Sequence, residues 1–486
     1  MELIPHFIDG ERRGSNDGGT IDKINPVTGE KNAEIAQGGE SDADLAVASC
    51  RSASEEWAAM DPSERGQLLW RFADAVEQSR EQLAEDDSLD AGKPMLDCVE
   101  DVNAAVKLLR FYAGLPDKVR GSTMQVQPGY AAWTEREPYG VIAAIVPWNY
   151  PLYNACAKVG GIIAMGNACI LKPAEQAPSS AVRLGELAIQ SGIIPGVLNV
   201  LNGDGRTGAL LSGHDGVEKI SFTGSTETGR KILEASAKSN LKPCVLELGG
   251  KSPNLIFADA DLDVAAEAAA FSIFYNQGQT CTAATRVLVE SAVAEEFTEK
   301  LVRRAQALKI GDPADEATQL GPVVSQEQLE KVMKYIEAGQ NSGAELRSGG
   351  RRLGDRGFFI EPTVFAQVPH DSSIATEEIF GPVASVIPFE SEDDAVTLSN
   401  AVSYGLAASI WTQDVTRMHR LSRKVKAGIV WGNCLFAEHP SVPVGGYRQS
   451  GFGKEYGLEA GYEYTREKSI WLGMTGDTLR WTGVEY

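Results

Sequence analysis

VIAAIVPW, residues 141–148, decides the architecture. The run is continuously apolar and ends at proline, with no polar alternation. It therefore reads as a strand buried on both faces. The same form recurs downstream: ACILKPAE (168–175), VLNVLNGDG (197–205), KISFTGSTETG (219–229) and VLELGGKSP (245–253) are short β-rich runs ending in Gly or Pro. Helical stretches such as APSSAVRLGELAIQSG (177–192) separate several of them. Buried strands alternating with helices predict βαβ units, a parallel sheet covered on both faces and an α/β fold. A second series of this kind follows Cys281.

Before this region, the first roughly 120 residues read mainly as helix. The segment from Trp57 to Pro94 has helical apolar spacing, starting near Asp61-Pro62 and stopping at Gly92. STMQVQPGYAAWTEREPYG (122–140) alternates like a half-exposed hairpin, and YEYTREKSIWLG (462–473) alternates again near the C-terminus. The second stretch offers a pairing partner for the first, and such an edge is a place for subunit contact.

At 486 residues the chain exceeds a single ordinary core, and roughly two to four domains are expected. Apolar residues make up 43% and charged residues 23%, the balance of a globular protein. A formal charge of -22 repels a phosphate backbone, so nucleic acid is not an expected partner. No stretch is apolar for long enough to span a membrane. The start, MELIPHFIDGERR, has no basic segment followed by an apolar core, so a cytoplasmic protein is expected. The seven cysteines form no CxxC pair, which fits free thiols in a reducing compartment. The five histidines are scattered, and no metal is expected.

Cys281 stands in NQGQTCTAATR (276–286), among small and polar neighbours rather than the apolar ones of a packed structural cysteine. Four further signals are individually weak. GDGRTG (203–208) fits the GxGxxG pattern, but fifty glycines make chance matches easy. In FTGSTETG, Gly224, Ser225 and Thr226 either cap a helix or present amides to a phosphate. Lys172 and Glu175 of KPAE are either surface charge or two sides of a ribose site. Glu247, placed directly before two glycines, is either an ion-paired carboxylate or a base.

Their joint order is specific. PWNYPL, KPAE, FTGSTETG, ELGGKSP, GQTC and EEIFGPV follow one another, with Cys281 34 positions after Glu247. The set resembles the NAD(P)-dependent aldehyde dehydrogenase superfamily. The resemblance runs from FIDGE (7–11) through NPVTGE (25–30) to GGYRQSGFGKEYG (445–457). It implies a Rossmann-type cofactor domain (1–119 and 138–248), an α/β catalytic domain (249–447), and a β oligomerisation arm with a C-terminal tail (120–137 and 448–486). A homodimer or homotetramer is implied as well.

By the same resemblance, Cys281 is the nucleophile that attacks an aldehyde. Asn149 and the Cys281 backbone N–H are the oxyanion donors, and Glu247 is the general base. The implied cofactor is NAD. Lys172 and Glu175 match its adenosine-ribose ligands, and the carboxylate of Glu175 would repel the 2′-phosphate of NADP. Gly224 and Ser225 resemble pyrophosphate contacts, Trp148 lies near the adenosine-side strand, Gly203 gives the cofactor room, and Leu248 is a further cofactor-binding residue. Glu378 and Phe380 resemble nicotinamide-ribose contacts, with Gln328 and Lys331 as looser ones.

The expected substrate lining is Tyr150, Tyr153, Asn154, Tyr275, Thr280, Thr282, Phe436, Glu438 and His439. Val444 and Ala157 hold places where many relatives carry larger groups, which predicts a roomier tunnel. A cationic aldehyde facing Glu438 and a bulky aromatic or terpenoid-like aldehyde both remain open. Two other reactions also remain: a CoA-acylating semialdehyde dehydrogenase, which usually lacks the Glu matching Glu247, and a cysteine thioesterase-like hydrolase, which would need a histidine beside Cys281.

Overall fold

All five residues of the Val141–Ile145 strand are buried, as its unbroken apolar sequence requires. In the computed structural model, which describes residues 2–474, this strand lies near the middle of an eight-stranded sheet. The order across the sheet is 451–452, 244–247, 219–223, 141–145, 168–172, 198–200, 6–8 and 11–13. The five central strands are parallel. The chain runs outward from 141–145 through 168–172 to 198–200, then returns to place 219–223 on the other side. That reversal is the topological switch point of a doubly wound sheet, where a crevice opens beyond the carboxyl ends of the strands.

A second sheet has seven strands, in the order 345–348, 363–366, 383–389, 286–290, 253–256, 407–411 and 429–432. It is parallel except at the 345–348 edge. The last strand of the first series, Cys244–Glu247, and the first of the second, Pro253–Ile256, are separated only by LGGKS. The carboxyl ends of the first sheet therefore feed directly into the second.

The N-terminal region departs from the helical expectation. Helices fill 40–59, 62–78, 80–91 and 95–113, but residues 2–36 hold five strands. These strands are short, and three lie at sheet edges, where a few residues carry too little periodicity to be read. His6–Ile8 is buried because it docks beside Leu198–Val200, with Phe7 packed so closely on Gly185 that no side chain fits there. The long helical segment begins and ends as expected. Asp61 accepts from the Ser63 and Glu64 amides with Pro62 in the first turn, and Gly92 closes it in the left-handed conformation. Ser79 divides it into two helices.

Thr465–Gly473 pairs antiparallel with Tyr130–Pro138 over nine residues, and Thr123–Met124 adds a third strand. Within the expected tail, Gly451–Phe452 instead joins the large sheet beside Cys244–Glu247. The remainder of that tail, residues 475–486, lies outside the described residues.

Asn167 ties these parts together. Its Nδ2 donates to the carbonyls of Ile162 (3.1 Å) and Tyr464 (2.9 Å), and its Oδ1 accepts from the amides of Tyr139 (2.7 Å) and Gly140 (3.1 Å). The residue is fully buried, so water cannot replace these partners. Asn167→Ala is expected to cost more than about 2 kcal/mol, read as a lower denaturant midpoint.

Candidate active site

The loop carrying Cys281 is built by a tight, left-handed turn. Helix Leu262–Phe274 ends, and Asn276 (φ 50°) and Gln277 (φ 57°) reverse the chain. Gly278 follows at φ 71°, and any side chain there would collide with the Gly381 carbonyl. The turn is stapled to the PWN segment of the other sheet. Asn276 Nδ2 donates to the Asn149 carbonyl (2.7 Å), and Asn149 Nδ2 donates to the Gln279 carbonyl (2.9 Å). Buried Asp87 accepts from the Leu152 amide (3.1 Å), fixing the start of the helix that follows Asn149. The two loops thus present the Asn149 amide and the Cys281 thiol to one cavity of about 500 Å³.

Glu247 reaches the same cavity from the end of its strand. It is buried, and its Oε1 has no hydrogen-bond partner. The GGYRQSGFGKEYG segment closes over it: a Cβ on Gly445 would sit 3.1 Å from that oxygen. Burial raises the Glu247 carboxyl well above the usual carboxylate range, and nearby Glu455 adds to this. Lys158 opposes them. Its ammonium is fully buried, ion-paired with Glu455 and donating to Ser221 Oγ (3.1 Å). The Cys281 thiol is also pushed up, first by burial and then by Glu378, Glu247 and Glu438. A raised thiol is a poorer source of thiolate, the reactive form of a cysteine.

The crevice predicted at the switch point forms the other end of the cavity. Trp148, Gly224, Ser225 and Leu248 line it, with Glu378 and Phe380 opposite and Gln328 and Lys331 beside them. Ser225 caps the Thr226–Lys238 helix, accepting from the Thr228 amide at 3.1 Å. The free amides of that first turn face the crevice end of the sheet. Glu378 is held by the Gly250 amide at 2.9 Å. Phe380 sits at φ 61°, and Gln328 secures it by donating to its carbonyl at 2.6 Å.

Lys172, Glu175 and Gly203 do not line this cavity. Lys172 and Glu175 stand together at the end of the neighbouring strand, their charged groups 3.5 Å apart. Lys172 is buried, which lowers its pKa, whereas Glu175 is half exposed. Gly203 has a reason other than cofactor room. Its φ of 144° and the closeness of Thr207 Oγ1 exclude a side chain whether or not a ligand is present. Trp148 lines the cavity, and its ring meets Phe380 edge-on at 5.4 Å.

Beyond the thiol, Tyr150, Tyr153 and Asn154 line one wall, Tyr275, Thr280 and Thr282 another, and Phe436 and Glu438 the outer end. Tyr150 and Thr280 share a hydrogen bond of 2.7 Å. His439 and Ala157 are not part of the lining. His439 bonds Ser441 at 2.7 Å, and Ala157 is packed in the core. Sequence reasoning missed Asp101, Phe271, Glu455 and Tyr456. Asp101 and Phe271 lie on ordinary amphipathic helices and carry no local signal. Glu455 and Tyr456 lie inside GGYRQSGFGKEYG, where two adjacent polar residues among glycines were a clue. The rings of Phe271 and Tyr456 also make the tunnel more aromatic than Val444 alone implies.

No histidine lines the cavity, so Cys281 has no imidazole partner of the kind a cysteine hydrolase uses. What the cavity does assemble is a thiol, an adjacent amide donor, a buried carboxyl and a crevice at a helix N-terminus.

Comparison with known proteins agrees. The model of the family described as "Aldehyde dehydrogenase family" matches residues 13–470. Retinal dehydrogenase 2 of Gallus gallus is 44% identical over 469 residues, covering 96% of this chain and 90% of that protein. A solved γ-glutamyl-γ-aminobutyraldehyde dehydrogenase from Burkholderia cenocepacia J2315 superposes with a TM-score of 0.95 at 43% identity, covering 97% of each chain. An indole-3-acetaldehyde dehydrogenase complexed with NAD+ superposes with a TM-score of 0.95 at 40% identity, covering 97% of this chain and 96% of that one. The chain belongs to the aldehyde dehydrogenase family, whose members oxidise aldehydes to carboxylic acids.

Proposed function

We propose that this chain oxidises its aldehyde to the free acid with NAD, using Cys281, Glu247 and Asn149. The observation that carries this reading is the convergence of a thiol, an unpartnered buried carboxyl and an amide donor on one cavity. Cys281 gives up its proton to a base, and its sulfur adds to the carbonyl carbon. The oxyanion that forms takes hydrogen bonds from Asn149 Nδ2 and the Cys281 backbone N–H. Bound NAD supplies the acceptor for the aldehyde hydride. Glu247 then takes a proton from water, whose oxygen attacks the thioester and releases the acid and the thiol.

The cofactor assignment has two supports. One is the NAD+ bound to the indole-3-acetaldehyde dehydrogenase relative. The other is the crevice itself, in which Ser225 caps a 13-residue helix and no bulky side chain fits at Gly224. In this reading Gly224 and Ser225 meet the pyrophosphate, Lys172 and Glu175 the adenosine ribose, and Leu248 the floor beneath. Glu378 and Phe380 meet the nicotinamide ribose. A homodimer or homotetramer is the proposed assembly, resting on the exposed Thr465–Gly473 strand with Trp471 57% and Leu472 52% exposed. Seven free thiols support a cytoplasmic location. Among the described residues no helix is long and apolar enough to cross a membrane. The aromatic walls, together with the identity with Retinal dehydrogenase 2, support a substrate with apolar bulk between its aldehyde and its far end.

Three measurements test the proposal. Cys281→Ala is expected to abolish NADH formation on every aldehyde that the wild type turns over. Residual turnover would exclude covalent catalysis.

Glu247 serves as a base only when ionised, and its carboxyl is raised, so turnover should fall as pH drops through that raised value. Glu247→Gln should remove this acid limb and slow steady-state turnover by about 10²–10⁴. It should still give a single-turnover burst of NADH, because the step it slows is thioester hydrolysis. Restoration of fast turnover by added coenzyme A would instead indicate acyl transfer.

Glu175→Ala should raise kcat/KM for NADP relative to NAD by roughly one to two orders of magnitude, since removal of a like charge lifts a cost of several kcal/mol. An unchanged ratio would take Glu175 out of the ribose site.

A further inference from the structure

The titratable side chains lining the cavity are strongly one-sided. Five carboxyl side chains line it: Asp101, Glu247, Glu378, Glu438 and Glu455. The single cationic side chain in the lining, Lys331, stands at the cofactor end beside Glu378. At the far end, beyond Cys281, the two charged groups are Asp101 and Glu438.

Asp101 has a partner, but that partner is turned away. Lys93 is fully buried and donates to Asp101 Oδ2 at 2.5 Å. Its ammonium lies 3.8 Å from the centre of the Tyr150 ring and 4.9 Å from that of Tyr275, and Lys93 itself is not part of the cavity lining. The pair thus shows its acidic member to the substrate and hides its basic one behind tyrosine rings.

Glu438 has no cationic partner. It accepts from Tyr153 Oη at 3.2 Å, and Tyr153 in turn accepts from Tyr456 Oη at 2.6 Å. This relay of two phenols fixes a carboxylate at the outer end of the tunnel. The surrounding surface is aromatic: Phe271 packs on Tyr275 at 4.9 Å and on Phe436 at 5.8 Å. Ring faces together with an unpaired carboxylate attract a positive charge, and each repels an anion.

We infer that the substrate carries a cationic ammonium group at the end remote from its aldehyde, held by Glu438 among the rings of Tyr153, Tyr275 and Phe436. This inference rests on the proposed attack by Cys281. It fixes the substrate class as an amino- or alkylammonio-aldehyde and excludes one ending in a carboxylate.

The test compares two aldehydes of the same shape on the full-length enzyme with NAD. One is trimethylammonio-butanal, which cannot cyclise. The other is its all-carbon isostere, in which a quaternary carbon replaces the nitrogen. Succinate semialdehyde is the anionic control. The wild type should favour the cation over the isostere at least tenfold in kcat/KM, chiefly through KM, and should turn over the anion least. Glu438→Gln should lower the cation-to-isostere ratio by about tenfold, and Tyr153→Phe should lower it less. Because the ratio is taken within one preparation, a general loss of active enzyme leaves it unchanged. A wild type that handles the isostere as well as the cation, or prefers the anion, overturns the inference, as does a ratio untouched by Glu438→Gln. If the isostere is turned over and that activity disappears in Cys281→Ala, the proposed reaction stands whatever the ratio.

Discussion

Two adjacent glycines hold the site together by leaving no side chain in the way. Gly249 and Gly250 form the crossing between the two large sheets. A Cβ on Gly249 would strike the Glu378 carboxylate, and one on Gly250 would strike the Cys281 carbonyl. At this crossing the Glu247 strand, the Cys281 loop and the Glu378 turn approach to backbone contact. The Gly250 amide then donates to Glu378, so the close approach is also a hydrogen bond. Any larger residue here would push Glu247, Cys281 and Glu378 apart.

Around that crossing, buried polar groups are used for position. Asn276, Asn149 and Gln279 link loops from different sheets by side chain to backbone carbonyl, a connection that cannot slide as an apolar contact can. Lys158 and Glu455 form a buried pair beneath Glu247, and Glu247 itself has one oxygen unpaired. An unsatisfied buried carboxyl is costly. It persists where the carboxyl faces the cavity that Cys281 also lines. Burial acts on two acids here, raising both the Cys281 thiol and the Glu247 carboxyl.

Much of this was legible in the chain. Unbroken apolar runs ending in Gly or Pro gave the parallel sheet, because a strand buried on both faces has no other composition. Asp61-Pro62 and Gly92 marked the helical segment, because capping is local chemistry. The Thr465–Gly473 strand pairs with Tyr130–Pro138 as their shared alternation allowed. The five strands within residues 2–36 were not legible, since His6–Ile8 is a strand only by virtue of the sheet edge it meets. At Gly203 backbone geometry and Thr207 require a glycine, a constraint that the GxGxxG pattern does not reveal.

By itself, then, the sequence determined the order of the chemical groups: an amide, a carboxyl and a thiol, the last two next to small residues that allow close approach. Only the tertiary structure decided what faces them. Asp101 and Phe271 come from helices with no distinguishing pattern, and Lys93 becomes relevant only because its ammonium is folded against Tyr150. The charge of the substrate tunnel depends on which member of an ion pair points inward. That is a property of packing between distant segments, and no local spacing encodes it.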